Sequence, residues 1–103
     1  MSQNNKKIVV NIDPDLEDLI PGYIENRYKD IKTINAALES GDFESIRILG
    51  HSMKGSGGGY GFNEITTIGM NIERAAKENN AGEIKSWTEK LIIYIENIEI
   101  IYA

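Results

Sequence analysis

One stretch of this 103-residue chain decides what the rest must accommodate: Gly50-His51-Ser52-Met53-Lys54-Gly55-Ser56-Gly57-Gly58-Gly59-Tyr60-Gly61-Phe62. It holds six of the ten glycines and the only histidine. Glycine at this density ordinarily marks a loop. Yet the residues before it carry helical periodicity, and the pattern runs on past His51. At about 100° per residue over Asp42 to Tyr60, one side collects Ile46, Leu49, Met53, Ser56 and Tyr60 as a buried stripe. His51 points the opposite way, among Glu44, Arg47, Ile48, Lys54, Gly55 and Gly58. Each glycine inside a helix costs roughly 1 kcal/mol relative to alanine, so several of them need a compensating reason. Close approach of another backbone or another protein is the usual one.

His51-x-x-Lys54-Gly55, followed by small residues and by Gly61-Phe62, resembles the phosphoacceptor motif of histidine phosphotransfer (HPt) domains. These are helical bundles that relay phosphoryl groups in bacterial two-component signalling. The resemblance runs from about Asp13 to the C-terminus by element order and spacing.

Composition narrows the alternatives. The length suits one domain, and 41% hydrophobic residues suffice for one modest core. With no cysteine there is no disulfide framework and no thiolate metal site, and a single histidine excludes a His-rich one. No apolar run approaches the roughly 18 residues of a membrane span. Met1–Lys7 is polar and lacks the apolar core of a signal peptide, so a cytoplasmic location is the default expectation. A formal charge of −5 argues against nucleic acid, which calls for a basic face.

Along the chain, residues 1–12 are expected to be an extended or disordered segment and 13–103 a single bundle domain. Met1–Asn5 reads as disordered. Ile8-Val9-Val10 with Ile12 is strand-like, but without a visible partner it is read as an extended segment on the bundle. Asp13 and Pro14 open a short helix to about Ile20, one as cap and one as first residue. Pro21 breaks the pattern and starts a longer helix to about Glu39, with Ile24, Tyr28, Ile31, Ile34 or Asn35, and Leu38 inward. Ser40-Gly41-Asp42 is a tight turn, with Gly41 left-handed and Asp42 the next cap. The histidine helix runs from Phe43 to about Gly59, and Asn63 caps a helix from Glu64 to about Glu78. That helix turns Ile65, Ile68, Gly69, Ile72, Ala75 and Ala76 inward. The last helix spans about Glu83 to Ile101, with Ile84, Trp87, Leu91, Tyr94, Ile98 and Ile101 inward. The fold expected is all-α, an antiparallel up-down four-helix bundle with a short N-terminal helix.

The resemblance implies the chemistry. His51 would attack the phosphoryl group of a receiver-domain phospho-aspartate and pass it on. Neutral imidazole, with an ordinary pKa of about 6.5, is largely available as a nucleophile at neutral pH. Lys54 would be the charge partner of the phosphoryl group, while Gly55 and Gly58 leave room for the receiver. Glu44, Arg47 and Ile48 share the exposed face and are candidate partner contacts, although a solvated face explains the charges as well. No cofactor is expected, since the magnesium ion belongs to the receiver. The partners implied are a response-regulator receiver domain or a hybrid sensor histidine kinase, and a monomer is the default. Autokinase activity is not expected. In sensor-kinase phosphoacceptor domains an acidic residue usually follows the histidine, whereas Ser52 follows here. Gly50-x-x-x-x-Gly55-Ser56 imitates a P-loop but has its lysine before the second glycine and no strand ahead of it. The competing readings are a non-phosphorylated bundle that binds and inhibits a receiver or kinase, and a purely structural bundle.

Overall fold

The computed structural model describes residues 7–103; the expected disorder of Met1–Asn5 lies outside them. A strand, β1 (Ile8–Ile12), leads into a 3-10 helix over Pro14–Leu19. Four α-helices follow: α1 (Ile20–Ser40), α2 (Phe43–Ser56), α3 (Asn63–Lys77) and α4 (Ala81–Asn97). The chain closes with a second strand, β2 (Ile98–Tyr102). The helices pack as a bundle in which α3 lies closely against α2 and also meets α4, and α1 touches α2 and α4.

Local chemistry sets the boundaries. The Asp13 carboxylate accepts the Asp15 N–H at 2.9 Å, with Pro14 just inside the cap. Pro14–Leu19 forms a 3-10 helix. It passes into α1 with Pro21 in the first turn, where its missing N–H leaves no bond unmade. Gly41 closes α1 at φ 71°, and the Asp42 carboxylate accepts the Ser45 N–H at 3.1 Å to open α2. Asn80 caps α4, its side-chain oxygen accepting from the Glu83 N–H at 3.1 Å, so this helix begins two residues before the expected Glu83. Asn63 is the first residue of α3 rather than its cap; Phe62 holds the cap position without a side-chain bond.

The C-terminus corrects the all-α expectation. The last helix stops at Asn97, not Ile101, and Ile98–Tyr102 pairs in parallel with β1, with Ile8 opposite Ile98 and Ile12 opposite Tyr102. Ile8–Ile12 is therefore a paired strand, not an isolated extended segment. At the exit from the helix, the Asn97 side chain donates to the Ile93 carbonyl at 2.7 Å, a local bond of the kind that competes with the helical ladder. Beyond it, Ile98, Ile100 and Ile101 are β-branched and suit a pleated strand. Ile98, Ile100 and Tyr102 turn toward the core, whereas Ile101, expected inward, is exposed.

The core is largely isoleucine, with an aromatic stack at one end. Tyr23 stacks on Tyr60 at 4.3 Å between centroids and on Phe62 at 5.7 Å, and Tyr94 meets Phe62 edge-on. Tyr23 also shares a 2.9 Å hydrogen bond with Ser56, and Arg27 lies over its ring. This explains why α1 buries Tyr23 and Arg27 and leaves the expected Tyr28 exposed. The helix is rotated so that its aromatic residue meets the turn after α2. Ile12 fills the space beside that turn, with its Cδ1 2.6 Å from where a Cβ on Gly61 would stand.

The glycines of α2 find their reason inside the molecule. The buried stripe is Ile46, Gly50 and Met53, with Gly57 beyond, rather than one centred on Leu49, Ser56 and Tyr60. A Cβ on Gly50 would lie 2.6 Å from the Glu73 nitrogen, one on Gly57 2.6 Å from the Thr66 nitrogen, and one on Gly69 2.6 Å from the Lys54 nitrogen. So α2 and α3 meet backbone to backbone. Gly55 has open space around it.

This contrast generates a test. Gly69→Ala should destabilise the protein by at least the roughly 1–3 kcal/mol typical of overpacking, because backbone cannot move aside cheaply. Gly55→Ala should be neutral or stabilising by up to about 1 kcal/mol. Urea unfolding of the two variants beside the parent checks both.

Candidate functional site at the α2–α3 seam

Because α2 and α3 touch along Gly50 and Gly69, side chains flanking the seam on either helix are brought within reach. From α2 come His51 and Lys54, from α3 Glu73 and Lys77. Glu73 is the centre. It is 6% exposed, at the edge of the apolar stripe of its helix. Its carboxylate Oε2 lies 3.0 Å from His51 Nδ1 and its Oε1 3.0 Å from Lys54 Nζ, while Lys77 Nζ stands 3.8 Å from Oε2. A buried charge persists only when paired and hydrogen-bonded, and this one has three partners. The Lys54 hydrogen bond, chief among the causes, outweighs the opposing effect of burial and, with the His51 bond, holds the Glu73 carboxyl below the usual carboxylate range.

An ionised carboxylate can only accept. His51 Nδ1 must therefore donate its N–H to Glu73, which fixes the tautomer and leaves the Nε2 lone pair free. The His51 side chain is 66% exposed, so that nitrogen stands on a ring open to a second molecule. One buried carboxylate thus sets the orientation of the imidazole and the position of the neighbouring ammonium together.

The other expected residues take these places. Ile48 is 53% exposed on the same outer side of α2. Arg47 is bidentate to Glu44, through Nε to Oε1 at 3.0 Å and through Nη2 to Oε2, and this pair lies at the surface. Gly55 and Gly58 are exposed, and a Cβ on Gly58 would find nothing closer than Asn63 Oδ1 at 3.4 Å. Exposed Met70 lies one turn before Glu73 on α3.

Sequence reasoning missed Glu73, Lys77 and Met70. The available signal was Gly69: a glycine in the apolar stripe of α3 announces close approach by a neighbour, and Glu73 follows it by four residues on the same side. Among the described residues no cluster of acidic, histidine or cysteine side chains could hold a metal ion, and no helix is long and apolar enough to cross a membrane.

The Glu73 pairing predicts a pH dependence. A carboxyl depressed by folding contributes stability above its ordinary pKa, and that contribution is lost as pH falls through the depressed value. Glu73→Gln should therefore lower Tm at pH 7, and the gap to the parent should close as pH drops below about 5. Thermal melts of both proteins across pH 3–7 measure it.

Against known proteins, the family model for the Hpt domain matches residues 18–99. No curated protein and no solved structure matches the chain.

Proposed function

The chain belongs to the Hpt domain family, whose members carry phosphoryl groups in two-component phosphorelay signalling, and on that premise we propose that His51 is the phosphoacceptor. In this reading the Nε2 lone pair attacks the phosphorus of a receiver's phospho-aspartate. The N–P bond forms as the O–P bond breaks, and the aspartate leaves with the bonding pair as a carboxylate. The ring then carries a positive charge, which the Glu73 carboxylate on Nδ1–H balances. The reverse step returns the phosphoryl group to a receiver aspartate by the same path.

Phosphoryl transfer asks mainly for in-line placement and charge neutralisation. Lys54 supplies a cation beside the transferred group, and magnesium comes from the receiver, so the chain needs no cofactor of its own. Gly55 and Gly58 leave the approach to His51 open. Ile48, Arg47 and Glu44, with Met70 and Lys77 from the neighbouring helix, form the surface that meets the receiver or hybrid kinase. The short links between successive helices favour an antiparallel, up-down course for the bundle. We take the protein to be a cytoplasmic monomer without autokinase activity, since Ser52 rather than an acidic residue follows the histidine.

The observation that carries this reading is the exposed imidazole tethered through Nδ1 to a buried carboxylate. An inhibitory module that never carries phosphate would have no use for a fixed tautomer with an open Nε2.

The test uses a receiver domain labelled by radioactive acetyl phosphate. The protein should take up label that is acid-labile and base-stable, and His51→Gln should take up none. Lys54→Ala should retain the site but slow its labelling roughly 10-fold or more, the scale of losing a charge-stabilising group. Label retained by His51→Gln, or binding to the receiver with no transfer, would defeat the relay reading.

A further inference from the structure

The face that α3 turns to the histidine helix carries Thr66, Gly69 and Glu73, three and then four residues apart. All three act on Lys54. Glu73 binds its ammonium. Gly69 lies against its backbone nitrogen. The Thr66 hydroxyl donates to its carbonyl at 3.1 Å and accepts the Gly58 N–H at 2.8 Å.

The last contact is unusual. In an uninterrupted α-helix the Gly58 N–H would donate straight to the Lys54 carbonyl. Here a hydroxyl from another helix is spliced between them, one of the recognised ways in which a helical ladder is opened. The α-helix stops at Ser56, and the chain tightens into a 3-10 turn over Gly58–Tyr60. Gly57 permits the approach, because any Cβ there would strike Thr66 Oγ1 at 2.8 Å. Valine would match threonine in shape but could neither donate nor accept, so the Lys54 carbonyl and Gly58 N–H would both lose their partner. Serine keeps the hydroxyl.

We propose, on the relay reading of His51, that Thr66 is a positioning residue for phosphoryl transfer: its hydroxyl fixes the Lys54 backbone on α3 so that the ammonium stands where the phosphoryl charge arrives. Its influence on the rate runs through Lys54.

The experiment follows single-turnover transfer from the acetyl-phosphate-labelled receiver to the intact protein, over a range of receiver concentrations. Thr66→Val should slow the saturating rate roughly 10-fold or more, since small misplacements near the reacting centre are costly. The receiver concentration at half-maximal rate should hold within about twofold, because no side chain on the exposed face of α2 is altered. Thr66→Ser should restore the rate. In a Lys54→Met background, Thr66→Val should slow transfer by less than about twofold more, as expected when one residue acts through the other. Should circular dichroism show Thr66→Val unfolded, Thr66→Ala takes its place with the same expectations. A folded Thr66 variant at the parent rate, a serine variant as slow as valine, or an undiminished loss in the Lys54→Met background overturns the role of Thr66. If the parent protein itself accepts no label, the relay reading falls and takes this role with it.

Discussion

Two helices of this protein touch along their backbones, and the chemistry of its surface depends on that contact. At Gly50 and Gly69 there is no room for even a methyl group between α2 and α3. Side chains too short to bridge ordinary helices, which pack about 8–10 Å apart, can therefore act across the seam. A threonine hydroxyl reaches into the neighbouring ladder, and a glutamate reaches an imidazole and an ammonium at once. The glycines let the two backbones pack directly, and that contact brings the Glu73 carboxylate within reach of His51 and Lys54. Widening the seam by one methyl group would separate both sets of partners without touching either.

The rest of the fold braces this pair. The aromatic stack of Tyr23, Tyr60 and Phe62 holds the turn that leaves α2, and Ile12 of β1 wedges against Gly61 in the same turn. Pairing of β1 with β2 ties the two ends of the described chain together across the bundle. The terminal strands thus secure the turn on which the last residues of the histidine helix depend.

Much of this was legible in the residues. Gly41-Asp42 and Asp13-Pro14 mark helix boundaries by chemistry that needs no tertiary context, and the outward direction of His51 follows from the apolar residues around it. What was hidden depends on partners distant in the chain. Ile98–Tyr102 fits either a helix end or a strand by composition, and only β1, more than eighty residues earlier, decides for the strand. Tyr23 and Tyr28 compete for the inward face of α1, and the stack with Phe62 selects Tyr23. The backbone that approaches Gly50, and Gly57 just past the end of α2, is that of α3, whereas Gly55 has open space around it. Gly69 hints at a close neighbour for α3, but that a histidine and two lysines converge on Glu73 is decided only by the packing of α2 on α3.

The central claim is that the Glu73 carboxylate dictates which nitrogen of His51 is nucleophilic. With one histidine in the chain, nitrogen NMR of histidine-labelled protein reads this directly at a pH where the ring is neutral. The account predicts a proton on Nδ1 and a lone pair on Nε2, with phosphorus bonded to Nε2 after transfer from a receiver. A neutral ring protonated at Nε2, or phosphorylation at Nδ1, would contradict it.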